Sequence, residues 1–443
     1  MLELSYKKIL AIALPLMIGT FVQSIVMLTD SSFVARIGTI PYNAVNNAGL
    51  IYVSLFMFSK GLADGAQILI ARKYGEQNTA QIGSIIFHTQ FLQIILSGFL
   101  FTLFFFLSSG LIDLIVKSEP TGEQMVLFLK YRSWGIFFAG MHAGLTSFFI
   151  GIGKTSIVLV STLVMALSNI FLDYAMIFGH FGFSEMGMIG APIASSIAEF
   201  LAFLVLVVYI RSVESYREFR INIFQKLKLK ELIELLKLGV PLMFQGFLAL
   251  SGWLLFFTLI EREMSANDLE ISSVVRAIYF IVFIPIFGFG ATTRTYVSNL
   301  IGQNKPEMIP VIQRKIIFMS MTFIVLFCSG PVLFPKLIIP LIDPNPLVFE
   351  SSALVLKVVC GSFLMFSIIT VWFNSVAALG KSNVSFIIEG TSILIYLICC
   401  YLFIVEWKFG VVAVWTVEYI YFGVIGIMSY LYLQYYRKKI FQI

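Results

Sequence analysis

Long apolar runs separated by short polar intervals follow one another along the whole chain of 443 residues. One helical crossing of a bilayer needs about twenty mostly apolar residues, and twelve runs reach that length. The pattern therefore predicts twelve membrane-spanning helices. Their centres lie near residues 22, 58, 95, 138, 167, 198, 249, 283, 325, 365, 394 and 422.

The longest polar interval, residues 211–230, follows the sixth apolar run and is rich in acids and bases. It divides the chain into two halves with six spans each. We predict an all-α integral membrane protein with an N-terminal six-helix lobe over residues 1–212. A cytoplasmic linker over residues 213–232 and a C-terminal six-helix lobe over residues 233–443 complete the predicted domain organisation.

The two halves repeat each other in sequence. Residues 14–17 (LPLM) match residues 240–243 (VPLM), and residues 153–155 (GKT) match residues 380–382 (GKS), at offsets of 226 and 227. Because each half has an even number of spans, both copies enter the membrane from the same side, so the repeat is parallel. Two bundles related in this way, with a cavity between them, are typical of transporters.

The composition excludes a soluble protein. Hydrophobic residues make up 59% of the chain and charged residues 12%, and the mean hydropathy is +0.94, whereas a soluble domain is about half apolar and a quarter charged. The N-terminal run has no small-residue cleavage site after it, which favours a first span over a signal peptide. We expect a multi-pass protein of the inner (cytoplasmic) membrane.

Basic residues concentrate in alternate loops, and such loops stay in the cytoplasm. This asymmetry predicts that both termini are cytoplasmic. The same asymmetry explains the net charge of +6, so we expect the lipid bilayer, and not a nucleic acid, as a partner. The basic residues outside the linker that share this side are Lys7, Lys8, Arg72, Lys73, Lys305, Arg314, Lys315, Arg437, Lys438 and Lys439.

The pattern of histidines and cysteines does not suggest an enzyme. A membrane acyltransferase or metalloprotease needs a histidine with a partner acid, or a set of metal ligands at close spacing. The histidines are scattered and the cysteines lie in apolar runs without CxxC spacing. We expect no catalytic residue and no cofactor. The residues concerned are His88, His142, His180, Cys328, Cys360, Cys399 and Cys400.

Polar side chains within residues 166–196 suggest a functional site. Asn169 and Asp173 lie four residues apart in an apolar run, so they share one face of the fifth helix. An ionisable side chain at such a place is a functional candidate by default. After a glycine-containing turn the sixth helix brings Ser195 to a similar depth, and Asp30 lies at a matching distance from the end of the first helix.

Four stretches, in this order and spacing, resemble motifs of the multidrug and toxic compound extrusion (MATE) family. They are Asp30 in LTDSSFVARIG, residues 75–78 (GEQN), residues 169–179 (NIFLDYAMIFG) and residues 188–195 (MIGAPIAS). The resemblance covers the whole chain and is nearest to the DinF-like branch. It implies the MATE fold of the MOP superfamily, in which two pseudo-symmetric six-helix lobes face each other across a V-shaped cavity.

The resemblance also implies an activity: export of small organic compounds, often cationic or amphipathic, in exchange for protons or sodium ions. Residue by residue, Asp30, Asn169 and Asp173 would carry cation coupling, either by protonation or by holding a sodium ion. Ser195 stands where the family motif has threonine and keeps the hydroxyl. The NorM-like branch has an acid in helix seven where this chain has Gln245, so coupling through the C-terminal lobe in the NorM manner is not expected, and whether that lobe takes part in another way stays open. We expect a monomer.

Other polar residues within the predicted spans are secondary candidates for the functional site. Glu199, Gln245, Glu389 and Glu418 are possible cavity or coupling residues. Lys60 and Asp64, four residues apart, are predicted to form an ion pair. Two alternatives to an exporter stay open: a flippase for lipid-linked saccharides, from a related family, and a receptor or scaffold that transports nothing.

Overall fold

The computed structural model describes residues 2–116, 118–221 and 225–441, and regular structure in these ranges is helical. The α-helices are α1 (Tyr6–Ala35), α2 (Thr39–Gly75), α3 (Thr79–Phe106), α4 (Ser108–Ile115), α5 (Glu119–Arg132), α6 (Gly135–Gly151), α7 (Ser156–Phe178), α8 (Gly190–Ser212), α9 (Leu229–Glu263), α10 (Ala266–Gly302), α11 (Ile309–Leu333), α12 (Pro335–Ile342), α13 (Pro346–Ala378), α14 (Ser382–Tyr401), α15 (Val411–Val414) and α16 (Val417–Phe441).

The number of spans agrees with the sequence pattern. Within the described ranges, eleven helical segments are long and apolar enough to cross a bilayer by themselves. Helices α5 and α6 pass the same test as a pair and are bent by 52° at the residues between them, so together they make the twelfth span. The prediction of an all-α multi-pass membrane protein is confirmed.

The internal repeat extends to whole helices. Thr39 and Ala266, the first residues of α2 and α10, are 227 residues apart, as are Ser108 and Pro335, the first residues of α4 and α12. The same offset relates α5 to α13 and α8 to α16. One difference stands out, because α13 is continuous whereas its counterpart is broken between α5 and α6.

The described chain forms two compact units. The first comprises the described residues from 14 to 243, and the second comprises residues 2–13 together with residues 244–441. Both boundaries fall inside a helix, α1 or α9, next to Pro15 or Pro241 of the repeated motif. A proline inside a helix removes one backbone hydrogen bond, so each boundary lies near a point where the helix is weakened.

Each unit has its own apolar core. In the first unit the core includes Tyr52, Phe104 and Ile136, and in the second it includes Phe363 and Trp415. Many other large apolar side chains remain exposed at the helix surfaces, as expected where the surrounding solvent is lipid rather than water. Several of the polar groups described next, Asp173 and Glu418 among them, are buried as well.

Candidate functional site

Two aspartates meet inside the first unit. The carboxyl groups of Asp30 on α1 and Asp173 on α7 interact directly. Asp173 is fully buried, and no donor from the described residues reaches either of its carboxylate oxygens or Oδ1 of Asp30. Two ionised carboxylates can only accept hydrogen bonds, and they repel each other. Their close approach is therefore favourable when a proton or another cation lies between them.

An amide oxygen extends this set of acceptors. Asn169 lies one helical turn before Asp173, and its Nδ2 donates a hydrogen bond to Oγ of Ser195 on α8 at 3.3 Å. Its Oδ1 is buried and receives no hydrogen bond within the described part of the chain. The arrangement therefore pairs Asp30 with Asp173 and Asn169 with Ser195, and leaves buried oxygen atoms that a proton or a hard cation would satisfy.

Glycines let α7 and α8 form a tight hairpin. Gly179 ends α7 with a φ of +71°, a left-handed conformation that favours glycine. A Cβ at Gly190, the first residue of α8, would lie 2.9 Å from the backbone nitrogen of Ile177. Because both glycines lack a Cβ, the chain turns sharply and α8 can pack against the end of α7.

A buried arginine lies in the same unit as the acid pair. Arg132, the last residue of α5, interacts electrostatically with both Asp30 and Asp173. Its Nη1 donates a hydrogen bond to Oε2 of Glu199 on α8 at 2.7 Å, and its Nη2 donates to Oε1 of the same carboxylate. The guanidinium carbon lies 4.1 Å from the ring centroid of Tyr52 on α2. Glu199, a secondary candidate from the sequence, thus faces a cation.

The break between α5 and α6 makes room for this ion pair. A Cβ at Gly135, the first residue of α6, would overlap Nη1 of Arg132, Oγ of Ser196 and Oε2 of Glu199. Glycine at this position therefore leaves the space that the two charged side chains occupy between α6 and α8.

Sequence reasoning missed Arg132 and Tyr52. Arg132 follows Lys130 at the edge of an apolar run and is easily taken for a loop residue. A usable signal was present in Glu199, because a glutamate in the middle of a span implies a basic partner in a neighbouring span. Tyr52 carried no comparable signal, since a tyrosine in an apolar helix is ordinary.

Further acids lie in the second unit. Glu418 on α16 accepts hydrogen bonds from the hydroxyl groups of Tyr279 and Tyr396, each at 3.3 Å. Glu389 on α14 accepts one from the hydroxyl of Tyr421. Both glutamates are almost fully buried, and their hydrogen-bond partners are neutral phenols.

A small cavity borders Glu418. Its volume is about 30 Å³, roughly the share of liquid volume that one water molecule occupies. Its lining includes Trp253, Tyr279 and Tyr396 as well as the carboxylate. The space suits one water or one small ion rather than an organic molecule.

The remaining predicted polar positions are also paired. Oγ of Ser385 donates to Oε1 of Gln245 at 2.8 Å in the second unit. Lys60 and Asp64 form the predicted ion pair on α2, with 3.0 Å between Nζ and Oδ2, which confirms that prediction. Within the described ranges, no group of three or more His, Cys, Asp or Glu side chains is placed to hold a metal ion.

Comparisons with known proteins agree on one family. A family model described as MatE matches residues 15–175 and 241–402, which is more than half of the chain. The chain is 27% identical over 366 residues to the probable multidrug resistance protein NorM of Thermotoga maritima, a match that covers 81% of this chain and 77% of that protein. It is 26% identical to the probable multidrug resistance protein YoeA of Bacillus subtilis, over 66% of this chain and 63% of that protein.

The fold has close neighbours among solved structures. One is an outward-facing multidrug resistance MATE family transporter of the MOP superfamily, with a TM-score of 0.88. It shares 17% sequence identity, and the match covers 96% of this chain and 94% of that chain. At this identity the likeness establishes the fold.

Proposed function

Because the chain belongs to the MatE family of multidrug transporters, we propose that it exports organic, often cationic or amphipathic, compounds by alternating access in exchange for protons or sodium ions. Its family consists of transporters rather than enzymes, and the chain is a multi-pass membrane protein. The single observation that supports coupling most directly is the Asp30–Asp173 pair, whose buried oxygens accept no hydrogen bond from the described residues.

The energetics of burial explain why such a pair favours coupling. An ionised carboxylate inside a membrane protein is costly, and two close together repel each other as well. Binding a proton or a sodium ion removes that repulsion, so the occupied and empty sites favour different packing of α1 against α7. Substrate and coupling ion then influence each other's affinity reciprocally, as antiport requires.

The secondary candidates have defined places in this proposal. Glu199 holds Arg132, whereas Glu389 and Glu418 form a separate set in the second unit, where Glu418 is the candidate for a second coupling proton. Gln245 is an orienting hydrogen-bond acceptor for Ser385. We propose that the main coupling reaction uses Asp30, Asn169, Asp173 and Ser195.

We further propose that the protein works as a monomer in the inner (cytoplasmic) membrane with both termini in the cytoplasm. The support for this orientation is the distribution of lysine and arginine between alternate loops. The flippase alternative is not favoured, because the relatives that match most of the chain are named as multidrug resistance proteins.

Transport in liposomes tests the coupling. Purified protein should move a fluorescent organic cation when a proton or a sodium gradient is imposed, and each gradient should be imposed separately. The matched control is Asp30→Asn, which should insert normally and lose the gradient dependence. Flux that persists unchanged after both gradients are collapsed would rule out antiport.

A further inference from the structure

Resting on the cation-coupled antiport proposed above, we propose that Glu389 and Glu418 of the second unit exchange one proton with each other. The proton passes through the hydroxyl group of Tyr421 and through one water molecule bound in the small cavity beside Glu418. Trp253 is a positioning residue that orients this water. The two glutamates, the tyrosine and the water together form the relay.

The two carboxyl groups lie on adjacent helices and have no hydrogen bond to each other. Glu389 on α14 accepts a hydrogen bond from Tyr421. Glu418 on α16 accepts one from Tyr396, which lies about two turns of α14 beyond Glu389, or about 10 Å along the helix axis. Intermediate hydrogen-bonding groups are therefore needed for a proton to pass from one carboxyl group to the other.

Tyr421 is the first intermediate group. Its hydroxyl donates to Oε1 of Glu389. Its ring packs against the ring of Tyr396, with 5.2 Å between the two centroids, and Tyr421 also lines the cavity beside Glu418. The side chain that holds Glu389 is thus part of the wall around Glu418.

The cavity offers the polar groups that one water needs. Its volume is about 30 Å³, which is enough for one water molecule with two to four polar partners. Trp253 lines the cavity, and its Nε1 is buried and donates to no acceptor among the described residues. An indole N–H can only donate, so a water that accepts from Trp253 keeps a lone pair for Glu418 and a hydrogen for Tyr421.

Transfer from Glu418 to Glu389 is a shift of hydrogens along this path. The carboxyl hydrogen of Glu418 moves to the water, a water hydrogen moves to Oη of Tyr421, and the hydroxyl hydrogen of Tyr421 moves to Glu389. Glu418 ends ionised and Glu389 protonated, while the water and Tyr421 are regenerated. The bond from Tyr421 to Glu389 already has the required direction.

The neighbouring side chains leave the two glutamates as the exchanging pair. Phenols and thiols are neutral near neutral pH, so they can pass a proton on without keeping it. The guanidinium of Arg276 on α10 lies over the ring of Phe257, with 4.9 Å between its carbon and the ring centroid. The titratable groups beside the two glutamates are Tyr279 on α10, Tyr396 and Cys400 on α14 and Tyr421 on α16.

Infrared difference spectroscopy on the purified full-length protein tests the water. Spectra taken between acidic and alkaline pH should contain a water O–H band that shifts when the solvent is labelled with heavy oxygen. Trp253→Phe keeps a ring without the N–H and should lose the band, whereas Trp407→Phe, at an exposed tryptophan, should keep it. A band that is absent from the wild type, or unchanged in Trp253→Phe, would overturn the water site.

Substrate accumulation in liposomes at a fixed proton gradient tests the relay. Tyr421→Phe should lower accumulation to the level of Glu418→Gln, and the two changes together should cause no further fall, because both interrupt one path. The matched control is Tyr401→Phe, since Tyr401 donates to the exposed Glu406, and it should accumulate substrate as the wild type does. Losses that add would make Tyr421 a structural residue and refute the relay.

A second variant changes no polar group. Ala249 lines the cavity, and valine at this position would fill the space that the water needs. Accumulation should fall as in Tyr421→Phe, whereas Ala277→Val, at an exposed position of α10, should have no such effect. Wild-type accumulation in Ala249→Val after loss of the water band would refute the role of the water.

The outcomes separate this inference from the function on which it rests, because the infrared measurement needs no transport. Export that ignores both proton and sodium gradients would refute the proposed antiport. Gradient-driven export in which Tyr421→Phe accumulates as much substrate as the wild type would refute the relay and leave antiport intact.

Discussion

Single residues account for the chemistry of the first unit. Three carboxylates and one guanidinium share one region of the unit, and only Glu199 and Arg132 neutralise each other through hydrogen bonds. Asp30 and Asp173 lack such a partner among the described residues. In the proposed antiport, the binding and release of a cation at these two aspartates is the step that changes the state of the protein.

Asp173→Asn should abolish coupled export. The amide has nearly the shape of the acid, carries no charge and can donate to Asp30, so it imitates a permanently occupied site. We expect gradient-driven flux to fall by at least about tenfold, because the site no longer changes charge during the cycle. The measurement is substrate accumulation in liposomes at a fixed gradient.

Gln245→Ala is the comparison for that variant. Gln245 is an uncharged hydrogen-bond acceptor in the second unit, so its loss should reduce flux only mildly. An equally severe loss in both variants would show that coupling is not confined to the first unit.

The sequence alone predicted Asp173 and Asn169 as site residues, but it did not predict Arg132. Asp173 and Asn169 were visible because polar residues at helical spacing are conspicuous in an apolar run. Arg132 was not, because its importance depends on Glu199, which is 67 positions away in sequence. Only the packing of α5 and α6 against α8 brings the two charges together.

Among the helices, the break between α5 and α6 is the feature that the hydrophobic pattern could not predict. The pattern indicated one span centred near residue 138, and the structure bends that span by 52°. The residues at the bend are Ser133, Trp134 and Gly135, and kinks commonly occur at serine and glycine positions. The equivalent span α13 has the same length in sequence and no break.

Gly135→Ala should lower the thermal stability of the protein, because Gly135 lies at this break and next to the Arg132–Glu199 ion pair. The added methyl group would overlap both members of the Arg132–Glu199 pair, and relieving such overpacking usually costs about 1 to 3 kcal/mol. The midpoint of thermal unfolding in detergent should therefore fall. Gly98→Ala on α3 is the matched control, because a Cβ at Gly98 has no neighbour within 4 Å and alanine favours the helix. Equal midpoints for the two variants would contradict the packing role.

Across the whole chain, the repeat was readable from the sequence, whereas its functional asymmetry was not. Short matches such as residues 14–17 and 240–243 were enough to predict two similar halves, because proline and glycine punctuate helices in both copies. The offset is 226 for α1 and 227 for the later helices, and at these offsets the positions equivalent to Asp30, Arg132 and Asp173 are apolar or weakly polar. They are Phe256, Val359 and Cys400.

The second unit has its own polar centre in place of that site. Tyr279 is the repeat counterpart of Tyr52, but it donates to Glu418 rather than covering an arginine. The hydrogen-bond donors to Glu418 are tyrosine hydroxyl groups and none of them is basic. A carboxyl group buried in this way is more stable when it is protonated. The two halves of one repeat therefore offer different chemistry to a coupling ion.

Glu418→Gln tests how much the second unit contributes. Oε1 of glutamine can accept from one of the two hydroxyl groups, Tyr279 or Tyr396, and its Nε2 can donate to the other, so the fold should be kept while the exchangeable proton is lost. We expect export to remain gradient-driven but to reach a lower accumulation at a fixed proton gradient, because fewer protons return per substrate. Glu406→Gln is the control, since Glu406 is an exposed acid that also accepts from a tyrosine, Tyr401. Unchanged accumulation would show that Glu418 serves only as a structural hydrogen-bond acceptor. Complete loss of coupling would show that Glu418 is as important for coupling as Asp173.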